Sequence, residues 1–165
     1  MNIAFRLPNG LPSAPGTIPP FPAWQVVHRD RLLFHHIGIA CRRDALAHGA
    51  ERETLDLLGY CPEGEEWADD RLGMKGQFMV GAGAPRLELV APYGSHSPVT
   101  SWLERGIKLY HLAFFATDLS AELGRMRERR AKLMLPPTPA VAFGGRHVAF
   151  VMLPNLLLIE VIEKD

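Results

Sequence analysis

The sequence predicts an α+β fold in which one unit, made of a strand, a helix and several further strands, occurs twice along the chain. Three observations predict it. The hydrophobic pattern of the first half returns in the same order in the second half. An apolar run with a histidine begins each half, and an apolar run with a glutamate ends each half. With 165 residues, 47% of them hydrophobic, the chain has room for one compact domain or two small modules.

The first half contains the strand and helix signals of one unit. The apolar run LLFHHIGIAC at 32–41 suits a buried strand. A helix is predicted over 44–58, and Gly59 then supplies a residue that tolerates a left-handed cap. After a polar stretch through residue 70, strands are predicted at 74–80 and 86–92, separated by a Gly-Ala-Gly turn. The residues at near-helical spacing in the helix are Leu46, Ala50, Thr54, Leu57 and Leu58.

The second half repeats this order after a linker of turn residues. A short amphipathic segment at 100–105 is followed by a predicted strand at 108–117. Asp118 is a good N-cap for the next helix. Later strands are predicted at 140–143, 146–153 and 157–162. The inward face of this second helix is predicted to carry Leu119, Leu123, Met126 and Leu133.

These elements divide the chain into an N-terminal arm and one domain. The arm is 1–31, because six of the 14 prolines lie within the first 22 residues, and proline removes an amide donor and forbids helix. The predicted domain, 32–165, consists of module one at 32–92, a linker at 93–107 and module two at 108–165.

Composition limits the partners and the compartment. Lysine plus arginine equals aspartate plus glutamate at 18 each, so we expect neither nucleic acid nor a membrane surface as partner. No apolar run approaches the roughly 18 residues of a membrane span, and the first residues lack the pattern of a signal peptide. Cys41 and Cys61 are the only cysteines and cannot supply a disulfide framework, which favours the cytoplasm.

The repeat carries a candidate metal site. His36 aligns with His111 at an offset of 75 residues, and Glu88 aligns with Glu160 at an offset of 72. Within each half, the histidine and the glutamate are 52 and 49 residues apart. Two buried carboxylates and two imidazoles that face one another would repel or remain unpaired, and a divalent cation resolves that conflict. Such a set suits cobalt, nickel, manganese, zinc or iron and leaves coordination positions for water or substrate.

Each of these residues also has an ordinary structural explanation. A single histidine in a strand is more often a satisfied core or edge residue, and a single glutamate more often faces solvent. The matched offsets favour the site. His35 is the main competitor, because alternation places it on the face opposite His36 and a slip of one residue would exchange them. The small neighbours Gly38 and Ala113 are expected to leave space for a ligand.

These residues resemble the vicinal oxygen chelate superfamily, which includes glyoxalases, bleomycin resistance proteins and ring-cleaving dioxygenases. The resemblance covers about 32–163. It implies two paired βαβββ modules that form a concave mixed sheet with helices on the outer face, and a homodimer is expected. The implied ligands of one divalent metal ion are His36, Glu88, His111 and Glu160.

Within this superfamily the chain looks most like the methylmalonyl-CoA epimerases, through HHIGIAC, LELVAP, SPVTSWLERG, YHLAFFATDL, GGRHVAF and LLLIEVIE. This resemblance implies epimerisation of a short acyl-CoA thioester through a metal-stabilised enolate, with Glu160 and Glu88 exchanging the α-proton. Arg146 and Lys75 are candidate contacts for a substrate carboxylate or phosphate, or else solvated surface charges. One departure is Gln77, which stands where such epimerases often carry a glutamate base. An amide cannot take a proton, so Gln77 is expected only to orient the substrate.

Three other functions stay open at this point. A glyoxalase I-type lactoylglutathione lyase or isomerase uses the same four ligands and differs in its thiol cofactor. A ring-cleaving dioxygenase needs iron, two histidines and one glutamate, and is favoured if Glu88 does not bind metal. A non-enzymatic small-molecule binding protein would have an apolar pocket and no metal.

Overall fold

The predicted α+β class is confirmed by the computed structural model, which describes residues 31–42, Leu46 and residues 49–164. Apart from Arg31, the predicted N-terminal arm lies outside the described residues. Eight strands form one mixed sheet in the order β2-β3-β4-β1-β5-β8-β7-β6. The strands are β1 (Leu32–Ala40), β2 (Tyr60–Asp69), β3 (Met74–Gly81), β4 (Leu87–Pro92), β5 (Leu109–Ala116), β6 (Lys132–Pro139), β7 (His147–Met152) and β8 (Leu158–Glu163). The helices are α1 (Ala50–Leu57), α2 (Pro98–Glu104) and α3 (Leu119–Glu128).

The two halves of the sheet have the same topology and meet at its centre. In each half the first and last strands pair in parallel, β1 with β4 and β5 with β8. The other pairs within each half are antiparallel. The halves join through the antiparallel pair of β1 and β5. The four strands that carry the predicted metal ligands are therefore adjacent.

Helices α1 and α3 cover the outer face of the sheet. Leu119 and Leu123 of α3 pack in one cluster with Ile159 and Val161 of β8. On the other half, Leu55 of α1 joins a cluster that contains residues of β3 and β4. Helix α2 differs, since its side chains pack in the cluster of the inner face. No helix in the described ranges is long and apolar enough to cross a membrane.

Two helix boundaries agree with the sequence, and one buried face does not. The carboxylate of Asp118 accepts a hydrogen bond from the backbone N–H of Ala121 at 2.8 Å, as expected of an N-cap. Gly59 follows α1 with φ of 80°. The predicted buried face of α1 is wrong at three positions, because Leu57 is 86% exposed and Thr54 and Leu58 are exposed as well. Leu55 packs instead, and Leu55 and Leu57 differ by about 200° around the helix axis.

Strand β2 was not predicted, since its residues form the polar stretch that ends near residue 70. Among the described strands it pairs with β3 alone, at the edge of the sheet, and most of its side chains are exposed on both faces. An edge strand without a buried face has no apolar alternation in its sequence. The pairing with β3 therefore decides its conformation.

Strand β6 at the other edge was missed for a similar reason. It contains Pro136, Pro137 and Pro139, which an edge strand tolerates because its outer N–H positions need no partner. Leu133, predicted on the inward face of the second helix, lies in β6 and is half-exposed. The predicted strand at 140–143 is also wrong, since Val141–Phe143 form a 3₁₀ turn.

Candidate metal centre

The strand register brings the four predicted ligands together on the inner face. His36 lies opposite Ala113, and His111 lies opposite Gly38 across the central pair β1 and β5. Glu88 of β4 is level with Gly38, and Glu160 of β8 is level with Ala113. One nitrogen or oxygen atom from each of the four side chains lies within 4.8 Å of all the others.

The donor atoms converge on one small space. The Nε2 atoms of His36 and His111 are 2.8 Å apart. His36 Nε2 lies 3.1 Å from Oε2 of Glu88 and 3.5 Å from Oε2 of Glu160. His111 Nε2 lies 3.4 Å and 3.5 Å from the same two oxygens. Each histidine is thus directed at both carboxylates.

Burial and charge divide the two carboxyl groups. Burial opposes ionisation of Glu88, but the charge of His36 and hydrogen bonds from both histidines outweigh it and lower the pKa of Glu88. Burial, followed by the charge of Glu88, raises the pKa of Glu160 well above its ordinary value. Burial also lowers the pKa of His111, which favours the neutral imidazole. A neutral imidazole is the form that binds metal.

Several observations fit a divalent cation at this point. Nitrogen and oxygen donors from two histidines and two glutamates suit a first-row transition metal. One buried oxygen of the cluster, Oε2 of Glu160, has no hydrogen-bond partner among the described residues. Buried polar atoms of this kind are costly unless something else satisfies them. A cation would occupy the point on which Oε2 of Glu160 converges with the two Nε2 atoms.

Gly38 makes room for one of the ligands. A Cβ atom built at Gly38 would overlap the ring of His111, and its three nearest neighbours are all atoms of that ring. The sequence predicted that small neighbours leave space for a ligand molecule. At Gly38, the space is used by the imidazole of the facing strand.

The prediction that His35 lies on the opposite face is wrong. The pairing of β1 with β5 shifts between Phe34 and His36, so His35 is the extra residue of a bulge. Its ring is directed to the inner face, 4.5 Å from the ring of Phe115. The Nδ1 atoms of His35 and His36 share a hydrogen bond of 2.8 Å. His35 therefore holds the Nδ1 side of His36, one of the four candidate metal ligands.

A second bulge occupies the equivalent position of β5. The register shifts again between Gly38 and Ile39 of β1, which makes Tyr110 the extra residue opposite them. Its ring lies 5.0 Å from that of His111. His35 and Tyr110 each precede a histidine of the cluster, so the duplication extends to the bulges.

An arginine and a glutamate that were not predicted complete the surroundings of His35. Arg86 Nη1 contacts Nε2 of His35, and Arg86 Nε forms an ion pair of 2.5 Å with Glu63. The guanidinium also lies 4.2 Å above the ring of Phe78. Burial, with the charges of His36 and Arg86, lowers the pKa of His35 to about 4. The imidazole of His35 is therefore neutral at neutral pH.

Aromatic side chains cover the cluster. Phe143 of the 3₁₀ turn stacks on His36 with ring centroids 6.2 Å apart, and Phe78 lies 5.4 Å from the same ring. The remaining space at the cluster is about 10 Å³, with Trp67 among its lining residues. This space lies against Glu88, His111 and Glu160, and a substrate group needs room beyond it.

A buried aspartate of the first half, Asp69, holds the 3₁₀ turn that carries Phe143 in the second half. Oδ1 of Asp69 accepts hydrogen bonds from the N–H groups of Arg71 and Leu72 at 3.0 and 3.1 Å. Its Oδ2 accepts one from Val141 at 3.0 Å. Asp69 was not predicted, because a single aspartate in a polar stretch gives no sign of a partner 72 residues away.

Comparison with known proteins agrees with the geometry. Residues 35–150 match the Glyoxalase/Bleomycin resistance protein/Dioxygenase superfamily. The chain belongs to this superfamily.

One curated protein and several solved structures are similar to the chain. The uncharacterized protein YqjC of Bacillus subtilis (strain 168) is 33% identical over 85 residues, which are 50% of this chain and 60% of that protein. The chain therefore covers less than two thirds of that relative. Methylmalonyl-CoA epimerase from Mycobacterium tuberculosis is 25% identical with a TM-score of 0.64, over 80% of this chain and 87% of the epimerase.

Two further structures share the superfamily fold at lower identity. A hypothetical protein from Bacillus halodurans C-125 has a TM-score of 0.65 at 24% identity, over 81% of this chain and 95% of that one. A glutamate-to-glutamine variant of the Streptomyces coelicolor methylmalonyl-CoA epimerase, in complex with 2-nitronate-propionyl-CoA, has a TM-score of 0.64 at 21% identity, over 81% of this chain and 98% of that one.

Of the three residues predicted to orient or contact the substrate, Gln77 and Lys75 lie on the outer face of the sheet. Gln77 pairs with Leu89, whose side chain packs on the outer face, and its amide donates to the backbone carbonyls of Glu63 and Gly64 at 3.1 and 3.2 Å. Lys75 is on the same face as Gln77, since the two are separated by one residue of β3. Neither is brought to the cluster.

Arg146 is nearer to the centre than these two residues. Its guanidinium lies 5.8 Å from the ring centroid of Phe115, and its charge contributes to the lowered pKa of His35. Arg146 therefore lies at the rim of the inner face, on the side of His35.

Proposed function

We propose that the chain is a divalent-metal-dependent enzyme that epimerises a short acyl-CoA thioester at the α-carbon. The observation that carries this proposal is the convergence of four buried donors, His36, Glu88, His111 and Glu160, within 4.8 Å. The similarity to an epimerase at 25% identity over most of both chains supports the reaction class. Structures of such epimerases with acyl-CoA ligands support the substrate class.

The chain's own residues supply the ligands and the proton transfer. When bound, a divalent cation supplies Lewis-acid polarisation of two substrate oxygens. The carboxylates of Glu88 and Glu160 approach the centre from strands on either side of the β1 and β5 pair. One carboxylate oxygen can therefore accept the α-proton, while the bonding electrons remain on the substrate as an enolate. The other carboxylate, or water, returns a proton to the opposite face.

The surrounding residues hold the two histidines and exclude water. His35 fixes the outer nitrogen of His36, and Phe143 covers its ring. Tyr110 and Phe150 hold the ring of His111 from two sides, at centroid distances of 5.0 and 5.4 Å. A dry, fixed site strengthens electrostatic stabilisation of a developing oxyanion.

The position of Glu88 favours this proposal over a ring-cleaving dioxygenase. A dioxygenase needs two histidines and one glutamate, whereas Glu88 and Glu160 here both face the two imidazoles. A glyoxalase I-type lyase uses all four residues and is the second candidate. The two reactions differ in substrate, a thioester or a glutathione hemithioacetal.

The test is proton NMR in deuterium oxide with methylmalonyl-CoA and cobalt-loaded protein. We expect loss of the α-proton signal with the wild-type protein. The control Glu163→Gln, which lies in β8 like Glu160 but outside the cluster, should also show this loss. His111→Ala should show no exchange. A silent wild-type protein that turns over the hemithioacetal of glutathione and methylglyoxal would replace the epimerase proposal with the lyase. Silence with both substrates would overturn both.

A further inference from the structure

A second cavity lies beside the metal centre on the inner face. Its volume is about 320 Å³, compared with about 10 Å³ at the cluster itself. Small-molecule sites begin at roughly 300 Å³. We call this space the tail cavity, and its lining includes Trp102, Tyr110, Met134, Leu135, Met152 and Leu158.

The tail cavity adjoins the candidate metal centre, because the two spaces share part of their lining. Leu72, Met74 and Phe150 line both spaces. Phe150 and Tyr110 also contact the ring of His111. Leu158 precedes Glu160 by two residues in β8, so both side chains are on one face of the strand. The cavity therefore begins at three apolar side chains that also line the small space against Glu88, His111 and Glu160.

The side chains that line the tail cavity are mostly apolar, which favours an apolar group of the ligand. The hydroxyl of Tyr110 is directed at the sulfur of Met74 at 3.7 Å, which removes the main polar group of the interior. Arg71 and Met134 are solvent-exposed and mark the mouth. Three of the lining residues are methionines, whose flexible thioethers adapt to ligands of different shape.

We propose that the tail cavity binds an alkyl or aryl substituent on the α-carbon of the chelated substrate. The preferred substrates then carry an apolar group larger than methyl. This inference rests on the proposed function, because it places the oxygens of the substrate at the metal centre.

The first test is calorimetric titration of cobalt-loaded protein with methylmalonate, butylmalonate and hexylmalonate. These diacids offer two chelating oxygens and differ only in the alkyl group. Affinity should rise about fourfold for each methylene that the cavity buries. Equal affinity for the three diacids would overturn the proposal.

A matched pair of variants locates the effect. Met134→Trp fills the mouth of the tail cavity and should remove the preference for hexylmalonate. Leu133→Trp changes the neighbouring residue of β6, which is 49% exposed compared with 50% for Met134 and does not line the cavity. It should leave the preference unchanged. Equal behaviour of the two variants would place the alkyl group elsewhere.

A metal-independent probe separates this proposal from the proposed function. Octanol has no chelating oxygens and should change the emission of Trp102 in metal-free protein, with Trp102→Phe as the blank. No change in emission would count against the cavity. If the protein prefers long alkyl groups but catalyses no α-proton exchange, only the epimerase proposal is overturned. If it catalyses exchange but binds the three diacids with equal affinity, only the tail-cavity proposal is overturned.

Discussion

An alanine at position 38 would place a methyl group inside the space that the ring of His111 occupies. The new Cβ would lie 2.5 Å from Nδ1 and 2.6 Å from Nε2 of that ring. Non-bonded heavy atoms ordinarily pack about 3.5 Å apart, so the ring must move by about 1 Å. Tyr110, Phe150 and His36 surround the ring and oppose this movement. Gly38→Ala should therefore displace His111, one of the four candidate metal ligands.

Two effects of Gly38→Ala can be measured separately. Overpacking should lower the free energy of unfolding of the metal-free protein by about 1–3 kcal/mol. This corresponds to roughly 2–12 °C in Tm for a chain of this size. Displacement of His111 should weaken zinc or cobalt binding by about 10–100-fold, the range seen when support of a ligand is lost. Calorimetry measures the affinity, and differential scanning calorimetry measures the stability.

Two other glycines serve as controls. A Cβ at Gly76 would lie 2.5 Å from the Trp67 side chain and 2.6 Å from the carbonyl oxygen of Leu89, so Gly76→Ala should cost similar stability without reaching a ligand. Gly124 in α3 has open space around it, and Gly124→Ala should gain about 0.5–1 kcal/mol. Metal affinity should be unchanged in both. Wild-type metal affinity in Gly38→Ala would refute the assignment of His111 as a ligand.

Three further predictions concern protons, packing and metal. Because burial and the charge of Glu88 raise the pKa of Glu160, a metal must displace a proton there at lower pH, and the affinity for metal should fall as pH falls. Calorimetry in buffers of different ionisation enthalpy should detect the released proton. An affinity that does not change with pH would contradict this. Asp69→Ala leaves three N–H groups without their acceptor and should lower the free energy of unfolding in urea by about 2–4 kcal/mol. The control Asp118→Ala removes only a helix N-cap and should lower it by about 1 kcal/mol. Equal losses in the two variants would show that Asp69 only caps a turn. Metal at 100 times its Kd should stabilise the wild-type protein by about 2.7 kcal/mol and His111→Ala by far less, and an equal gain in both would place the metal at another site.

The order of the elements and the four candidate ligands could be predicted from the sequence. Both depend on local patterns, because a buried strand is apolar over its whole length and a helix repeats its apolar residues every three to four positions. The duplication then tested the ligand prediction, because a true pair of ligands should recur at the same offset in both halves. His36 and His111, with Glu88 and Glu160, recur at offsets of 75 and 72. These residues converge in the structure as the repeat predicted.

Features that depend on pairing could not be predicted in this way. The edge strands β2 and β6 have polar or proline-rich sequences, and only hydrogen bonds to β3 and β7 make them strands. His35 faces the cluster because β1 has one residue more than β5 between two ladder positions. The extra residue can be recognised only when the pairing of the two strands is known.

The sequence by itself thus determined which residues are candidate metal ligands, because donor type and strand position are local properties. Tertiary structure alone decided what surrounds them: the Arg86 and Glu63 pair behind His35, the link from Asp69 to Val141, and the tail cavity. These features join residues from distant parts of the chain, and their contacts follow from sheet curvature and side-chain packing, which leave no periodic signal in the sequence.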